Sequence, residues 1–266
     1  MIPAMGLTPL EIVRHLPKTN CGECGELSCL AFAVALLSGK RTPRDCPHAN
    51  LEGLSLSGGP NPSSELDQAW RILEEVKTEV AGLDLRARAG GLGVEWREGR
   101  LLIPYLDGLV ELTPRSARRI DGLELDPRDQ ILLYNYVRFG GKAPLSGEFV
   151  GLETFPNSVS KVATLRRYAE ERLARALSER FATLRKALSS FRTREIPAEA
   201  DLSFEVYVLP RVPLRIHFWR PEPEEGLPPE AKVLYDRLAL EYLDLESLVF
   251  CAERFTERWL EVAGIR

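Results

Sequence analysis

The 266 residues carry 44% apolar and 28% charged side chains and a net charge of −4, the balance of a folded globular chain and not of a disordered or fibrous one. A pI of 5.6 is unlike that of a nucleic-acid binder, and the longest apolar run, Cys29 to Leu37, is too short for a membrane span. Five cysteines, four of them clustered near the start, argue for a reducing cytoplasm and against a disulfide scaffold.

The N-terminal Met-Ile-Pro-Ala-Met-Gly has neither a basic stretch nor an apolar core, so no secretory signal is expected. Residues 8–47 form a cysteine module. Leu10, Ile12, Val13 and Leu16 predict a short helix ending at Pro17, and Leu30 to Leu37 predicts a buried helix stopping at Ser38-Gly39. Between and beyond these helices runs Cys21-x2-Cys24-x4-Cys29-x16-Cys46. Three thiols within nine residues let one tight loop reach three irons of a cuboidal 4Fe–4S cluster, and the fourth closes the cage from beyond the helix. Gly22 and Gly25 follow the first two ligands, where the backbone turns sharply and its N–H groups can face cluster sulfurs. Pro47 follows the last. A structural zinc site with four thiolates is the alternative, but such sites normally draw on two separated C-x2-C knuckles, and only one is present. Lys18, Lys40, Arg41 and Arg44 would raise a cluster's potential, whereas Glu23 and Glu26 would lower it.

Residues 50–64, with Ser-Gly-Gly-Pro-Asn-Pro-Ser-Ser at 57–64, read as a linker between a module at 1–49 and a domain at 65–266. Leu66, Ala69, Trp70, Leu73, Val76 and Val80 recur at helical spacing. Gly90-Gly91-x-Gly93 is followed by a strand and so reads as a turn, not a phosphate loop. Short strands are expected at 94–96, 100–106 and 109–112, then a helix opened by Asp126-Pro127 and stopped at Gly140-Gly141. An apolar stripe from Val162 to Phe191 predicts one long helix, or two joined near Ser178. Strands at 204–209 and 214–219, a Pro/Glu loop at 221–229 and a final helix from Leu245 to Trp259 complete the chain. The fold class is α+β: a small helical module, then a larger mixed domain with short antiparallel strands and long amphipathic helices.

Charge is segregated. Residues 161–194 hold ten Lys/Arg against three Asp/Glu, and residues 195–266 hold eight against fifteen. The two segments are expected to lie near each other in one fold or each to be a solvated face, in preference to a basic stretch that binds nucleic acid or an anionic partner. Cys251 lies on the apolar face of the last helix and reads as a packed thiol. His15 is isolated, His48 reads as solvated although it could replace a thiol, and His217 reads as a hydrogen-bonded structural residue. Glu222, Glu224 and Glu225 decorate a solvated loop. No nucleophile–base pair, metalloprotease motif or Walker loop is visible. A redox enzyme would have to build its site from Tyr134, Tyr136, Arg211 or His217.

Leu16-Pro-Lys-Thr-Asn-Cys-Gly-Glu-Cys-Gly25, with Cys29-Leu-Ala-Phe-Ala33 and Cys46-Pro47, closely resembles the iron–sulfur module of the large subunit of the corrinoid iron–sulfur protein. It is also similar to the module of the B subunit of Rnf electron-transport complexes. The resemblance covers about residues 9–48. It implies that Cys21, Cys24, Cys29 and Cys46 bind one 4Fe–4S cluster that passes single electrons, to a corrinoid cobalt in the first family. The remainder departs from both relatives, with no second ferredoxin cysteine set, no barrel-length β/α alternation and no D-x-H-x-x-G cobalamin motif. Asp129-Gln-Ile-Leu-Leu133, Gly147-Glu-Phe149, Leu209 to Leu214 and the terminal helix look like a domain of unknown function of anaerobic bacteria and archaea, often fused behind this module. The expectation is an electron carrier serving a redox partner protein or a corrinoid protein. A corrinoid bound by the large domain, a redox enzyme and a structural zinc protein are the alternatives.

Overall fold

The computed structural model describes residues 9–37, 41–49, 51 and 62–265, without the side chains of Leu10, Leu37 and residues 62–67. The expected stop at Ser38-Gly39, Lys40, most of the 50–64 linker and the Leu66 side chain lie outside them. The chain divides into two compact units, Met1–Arg71 and Ile72–Arg266.

In the first unit α1 (Pro9–Arg14) and α2 (Cys29–Leu37) pack together. Ile12, Leu16, Phe32, Ala33 and Leu36 make a small core that also buries Cys29 and Cys46. The module therefore has its own apolar backing, and two of its thiols are part of it. The helix α3 (Pro62–Ala81) follows in sequence. Its stripe buries Leu73, Val76 and Val80 but leaves Trp70 47% exposed, so the expected apolar face is real over its last two turns.

The second unit holds two antiparallel sheets. β1 (Glu95–Arg97), β2 (Arg100–Tyr105), β3 (Gly108–Leu112) and β4 (Ala117–Arg119) form a meander. β5 (Phe149–Gly151), β6 (Thr193–Glu195), β7 (Leu202–Leu209), β8 (Val212–Trp219) and β9 (Glu230–Asp236) form the other, in the order β5-β9-β8-β7-β6. The three predicted meander strands and the β7–β8 hairpin are present. The four strands not expected are β4, β5 and β6, each of three residues and too short to show alternation, and β9. β9 buries Ala231, Val233 and Tyr235 in strict alternation behind the Pro/Glu loop.

α4 (Leu85–Leu92) runs where the glycine cluster reads as a turn. Gly90 and Gly91 lie in its last turn and Gly93, at φ +68°, is its left-handed cap. A Cβ on Gly91 would stand 2.6 Å from the carbonyl oxygen of Gly141. These glycines close a helix and admit a neighbouring backbone; they do not cradle a phosphate. α5 (Pro127–Phe139) starts as expected, with the Asp126 carboxylate accepting the Arg128 N–H at 2.8 Å.

The long helical path is α6 (Val159–Leu165), a π-helical turn (Arg166–Glu170) and α7 (Glu171–Ala187), with a kink at Arg180, two residues past Ser178. α8 (Leu245–Val262) lays Leu248, Cys251, Phe255 and Trp259 into the core. Phe255 and Trp259 meet Phe191 and Phe204 at ring separations of 5.3–6.3 Å, contacts that add to the area they bury. Cys251 is fully buried, and burial raises its pKa, as fits a packed thiol. The segregated charges do meet: Arg172 pairs with Glu257, Arg194 with Glu205, and Lys161 with Glu246.

Candidate metal centre

The loop from Pro17 to Ser28 is bent by four left-handed residues, Lys18, Asn20, Gly22 and Gly25. Asn20 earns its conformation locally, because its Oδ1 accepts the backbone N–H of Cys29 at 2.8 Å. Ser28 Oγ accepts the Ala31 N–H at 3.0 Å. The first turn of α2 is thereby capped from the loop that carries the cysteines, which fixes Cys29 at the helix start. A turn closed by the Gly25 N–H on the Gly22 carbonyl, at 2.9 Å, presents Cys24. On the far side, Thr42 N–H donates to Asp45 Oδ2 at 2.6 Å and Asp45 N–H to the Thr42 carbonyl at 3.0 Å. That short 3-10 turn (Pro43–Asp45) delivers Cys46.

All four predicted ligands, Cys21, Cys24, Cys29 and Cys46, line one small pocket, backed by Leu16, Pro17 and Phe32. Cys29 and Cys46 are buried, Cys24 is half-buried and Cys21 is exposed. None is in a disulfide. Four sulfur donors on an apolar backing are a soft set that suits iron–sulfur clusters and zinc and disfavours hard cations. His48 does not join them. It is exposed, and its Nε2 lies 2.9 Å from a Glu23 carboxylate oxygen. Its ring, Glu23 and the Cys21 sulfur lie within 4.8 Å of one another at the solvent edge of the pocket.

The side chains offered for an enzyme site do not converge. Tyr136 and Arg211 meet, through the Arg211 N–H on the Tyr136 hydroxyl at 3.1 Å, but that hydroxyl is buried and donates to the Leu92 carbonyl at 2.5 Å. Tyr134 donates to the Thr113 carbonyl at 2.8 Å. His217 Nδ1 lies 2.8 Å from Ser203 Oγ, its register partner across β7 and β8. Sequence reasoning missed this Ser–His contact because strand register is invisible in the chain. Ser203 is itself buried, and desolvation followed by the Arg215 charge pushes the imidazole pKa down; the pair is a cross-strand contact between β7 and β8.

A larger feature was also missed. A groove of about 900 Å³ lies between the π-helical turn and the β8–β9 connection, lined by Glu170, Arg175, Trp219, Arg220 and Lys232 among others. Glu170 is buried and its Oε1 accepts the Val233 N–H at 3.1 Å. Burial pushes its pKa up against that hydrogen bond and the nearby Lys232. β5 pairs β9 only from Leu234 to Asp236, so Glu170 covers the edge that β5 leaves open.

A four-thiol module preceding a two-sheet α+β unit is the class of protein that fold and site define. The chain belongs to the family described as "Domain of unknown function (DUF3786)", whose model matches residues 84–258. A second model, described as "Putative Fe-S cluster", matches residues 16–48. The chain is similar to the corrinoid/iron-sulfur protein large subunit of Moorella thermoacetica, 51% identical over 59 residues, which is 21% of this chain and 13% of that protein. It is similar to the acetyl-CoA decarbonylase/synthase complex subunit gamma 2 of Methanosarcina thermophila, 52% identical over 40 residues, 15% of this chain and 8% of that one. The gamma 2 subunit of Methanosarcina mazei is 57% identical over 42 residues, again 15% and 8%. The chain thus matches only a small part of these relatives' lengths, and it is the N-terminal segment that matches. No solved structure matches at a significant level. Among the described residues no helix is long and apolar enough to cross a membrane.

Proposed function

We propose that this protein is a one-electron relay whose 4Fe–4S cluster is held by Cys21, Cys24, Cys29 and Cys46. The carrying observation is the convergence of four cysteines on one pocket within a segment that matches an iron–sulfur module. When bound, a 4Fe–4S cluster accepts and releases single electrons. The chain's own part is to bury two ligands, cap α2 so that Cys29 is fixed, and leave the Cys21 side open to an electron donor or acceptor. The functional division is the 1–49 module, the 50–64 linker and the 65–266 domain, and the setting is the cytoplasm of an anaerobe.

Anaerobically purified protein is expected to be brown, with about four irons and four sulfides per chain. One tightly bound zinc without sulfide would overturn the cluster and leave a structural zinc protein. Appearance of a reduced-cluster EPR signal with dithionite, and its decay on adding an oxidised acceptor, tests the relay.

The acceptor in this reading is a partner protein or a corrinoid bound by the large unit or by a partner. Support comes from the name of the Moorella relative and from the 900 Å³ groove, which is of cofactor size. Anaerobic titration with cob(II)alamin, followed by visible spectroscopy and calorimetry, is expected to show binding or faster cobalt reduction. The absence of both effects would remove the corrinoid and leave a partner protein as acceptor. A redox enzyme with its site in the groove is the second reading, favoured by the buried Glu170 at a π-helical turn, an irregularity frequent at functional sites.

A further inference from the structure

A carboxylate stands at the wall of the cysteine pocket, with a guanidinium bonded to it. Glu26 lines it, with a side chain only 27% exposed. Its Oε1 accepts a hydrogen bond from Arg41 Nε at 2.9 Å. Arg41 arrives from the segment that leads to Cys46, and its Nη2 reaches the Gly25 carbonyl at 3.4 Å. It can lie there because residue 25 has no side chain: a Cβ would stand 2.6 Å from Nη2. The guanidinium therefore crosses the backbone immediately after Cys24, held by the carboxylate of the next residue. Of the other nearby carboxylates, Glu23 is bonded to His48, and Asp45 accepts the Thr42 N–H.

Reduction adds an electron to a centre that its thiolate ligands already make anionic. A carboxylate beside it opposes the added charge and lowers the potential; a guanidinium does the reverse. Bonded to each other, the two largely cancel. We propose that the Glu26–Arg41 pair tunes the reduction potential of the centre, Glu26 as the lowering charge on the pocket wall and Arg41 as its counter-charge. This rests on the 4Fe–4S reading above, and it assigns Arg41 and Glu26 to tuning and not to ligation.

The test is an EPR-monitored redox titration of the full chain, anaerobic, for wild type, Glu26→Gln, Arg41→Gln, Arg41→Lys and the Glu26→Gln/Arg41→Gln double variant. Iron and sulfide analysis of each comes first. Wild type without about four of each overturns the cluster reading itself, before any potential is read. With the cluster present, Glu26→Gln is expected to shift the potential up and Arg41→Gln to shift it down. Arg41→Lys should stay near wild type, and the double variant should fall between the two single ones. Both shifts should shrink at high salt, because the pair is partly exposed. Shifts of the same sign, or none, overturn the proposal, because a merely structural pair has no reason to give opposite signs. Should Arg41→Gln fail to assemble its cluster, Glu26→Gln decides alone: an upward shift supports the tuning role, and an unchanged or lower potential overturns it.

Discussion

Cys24 and Cys251 show how the same side chain takes two fates. Cys24 is half-buried at a turn beside three other thiols, while Cys251 is sealed in the core of the second unit beneath α8. Replacing Cys24 by Ser substitutes a hard oxygen for a soft thiolate. Iron content should fall or the EPR spectrum change, with the secondary structure of the second unit intact by circular dichroism. Replacing Cys251 by Ser should leave iron and sulfide at the wild-type level and cost about 1–3 kcal/mol in urea unfolding, the price of burying a hydroxyl among apolar neighbours. A loss of iron in the Cys251 variant would contradict the assignment. That the four cysteines come together at one pocket was legible in the sequence, because a metal site constrains spacing along a short loop. The Glu26–Arg41 bond was not, because fifteen residues and a helix separate its partners.

At the scale of elements, helices and long strands announce themselves through periodicity, and short strands do not. The Asp126-Pro127 start of α5, the Leu245–Val262 helix and the β7–β8 hairpin were all readable from caps, stripes and alternation. Three-residue strands such as β5 exist only because a longer neighbour offers them a ladder. α4 was hidden by its two glycines, poor helix formers whose presence is explained by packing. The two are not equivalent. A Cβ on Gly91 would collide with the backbone oxygen of Gly141 at 2.6 Å, whereas nothing lies within 4 Å of one on Gly90. Gly91→Ala should therefore destabilise the protein by about 1–3 kcal/mol through overpacking. Gly90→Ala should be neutral or stabilising by up to about 1 kcal/mol, because it restricts the unfolded chain at a helical position. Thermal melts of the two variants measure the contrast, and equal losses would mean that the Gly91–Gly141 approach does not hold α4 in place.

Across the whole molecule, the segregation of basic 161–194 from acidic 195–266 becomes a set of ion pairs, with acidic partners on α8 (Glu246, Glu257) and on β6 and β7 (Glu195, Glu205). A separate ionic network joins α8 to the meander. Asp107, at the β2–β3 turn, accepts Arg119 Nη1 at 3.0 Å and Arg258 Nη2 at 2.8 Å, tying the terminal helix to the first sheet. Burial alone would push the Asp107 carboxyl up, but the hydrogen bonds from Arg258 and Arg119 more than reverse this and hold it below the usual carboxylate range. Asp121, hydrogen-bonded by the same Arg119, is brought down to about 2. A carboxyl whose folded pKa is depressed stabilises the fold above its unfolded value of about 4, and that contribution disappears as pH falls through the folded value. Stability should thus decline from about pH 4 towards pH 2. Asp107→Asn keeps the shape and removes the charge, leaving Arg119 and Arg258 without their shared anion. At neutral pH it should cost about 2–3 kcal/mol, since its side chain is only 11% exposed. The gap to wild type should narrow as the pH falls below the usual carboxylate range and wild-type Asp107 itself becomes protonated. Urea midpoints at pH 7 and pH 3 read this directly, and a cost that is the same at both would show that Asp107 acts through packing and not through its charge.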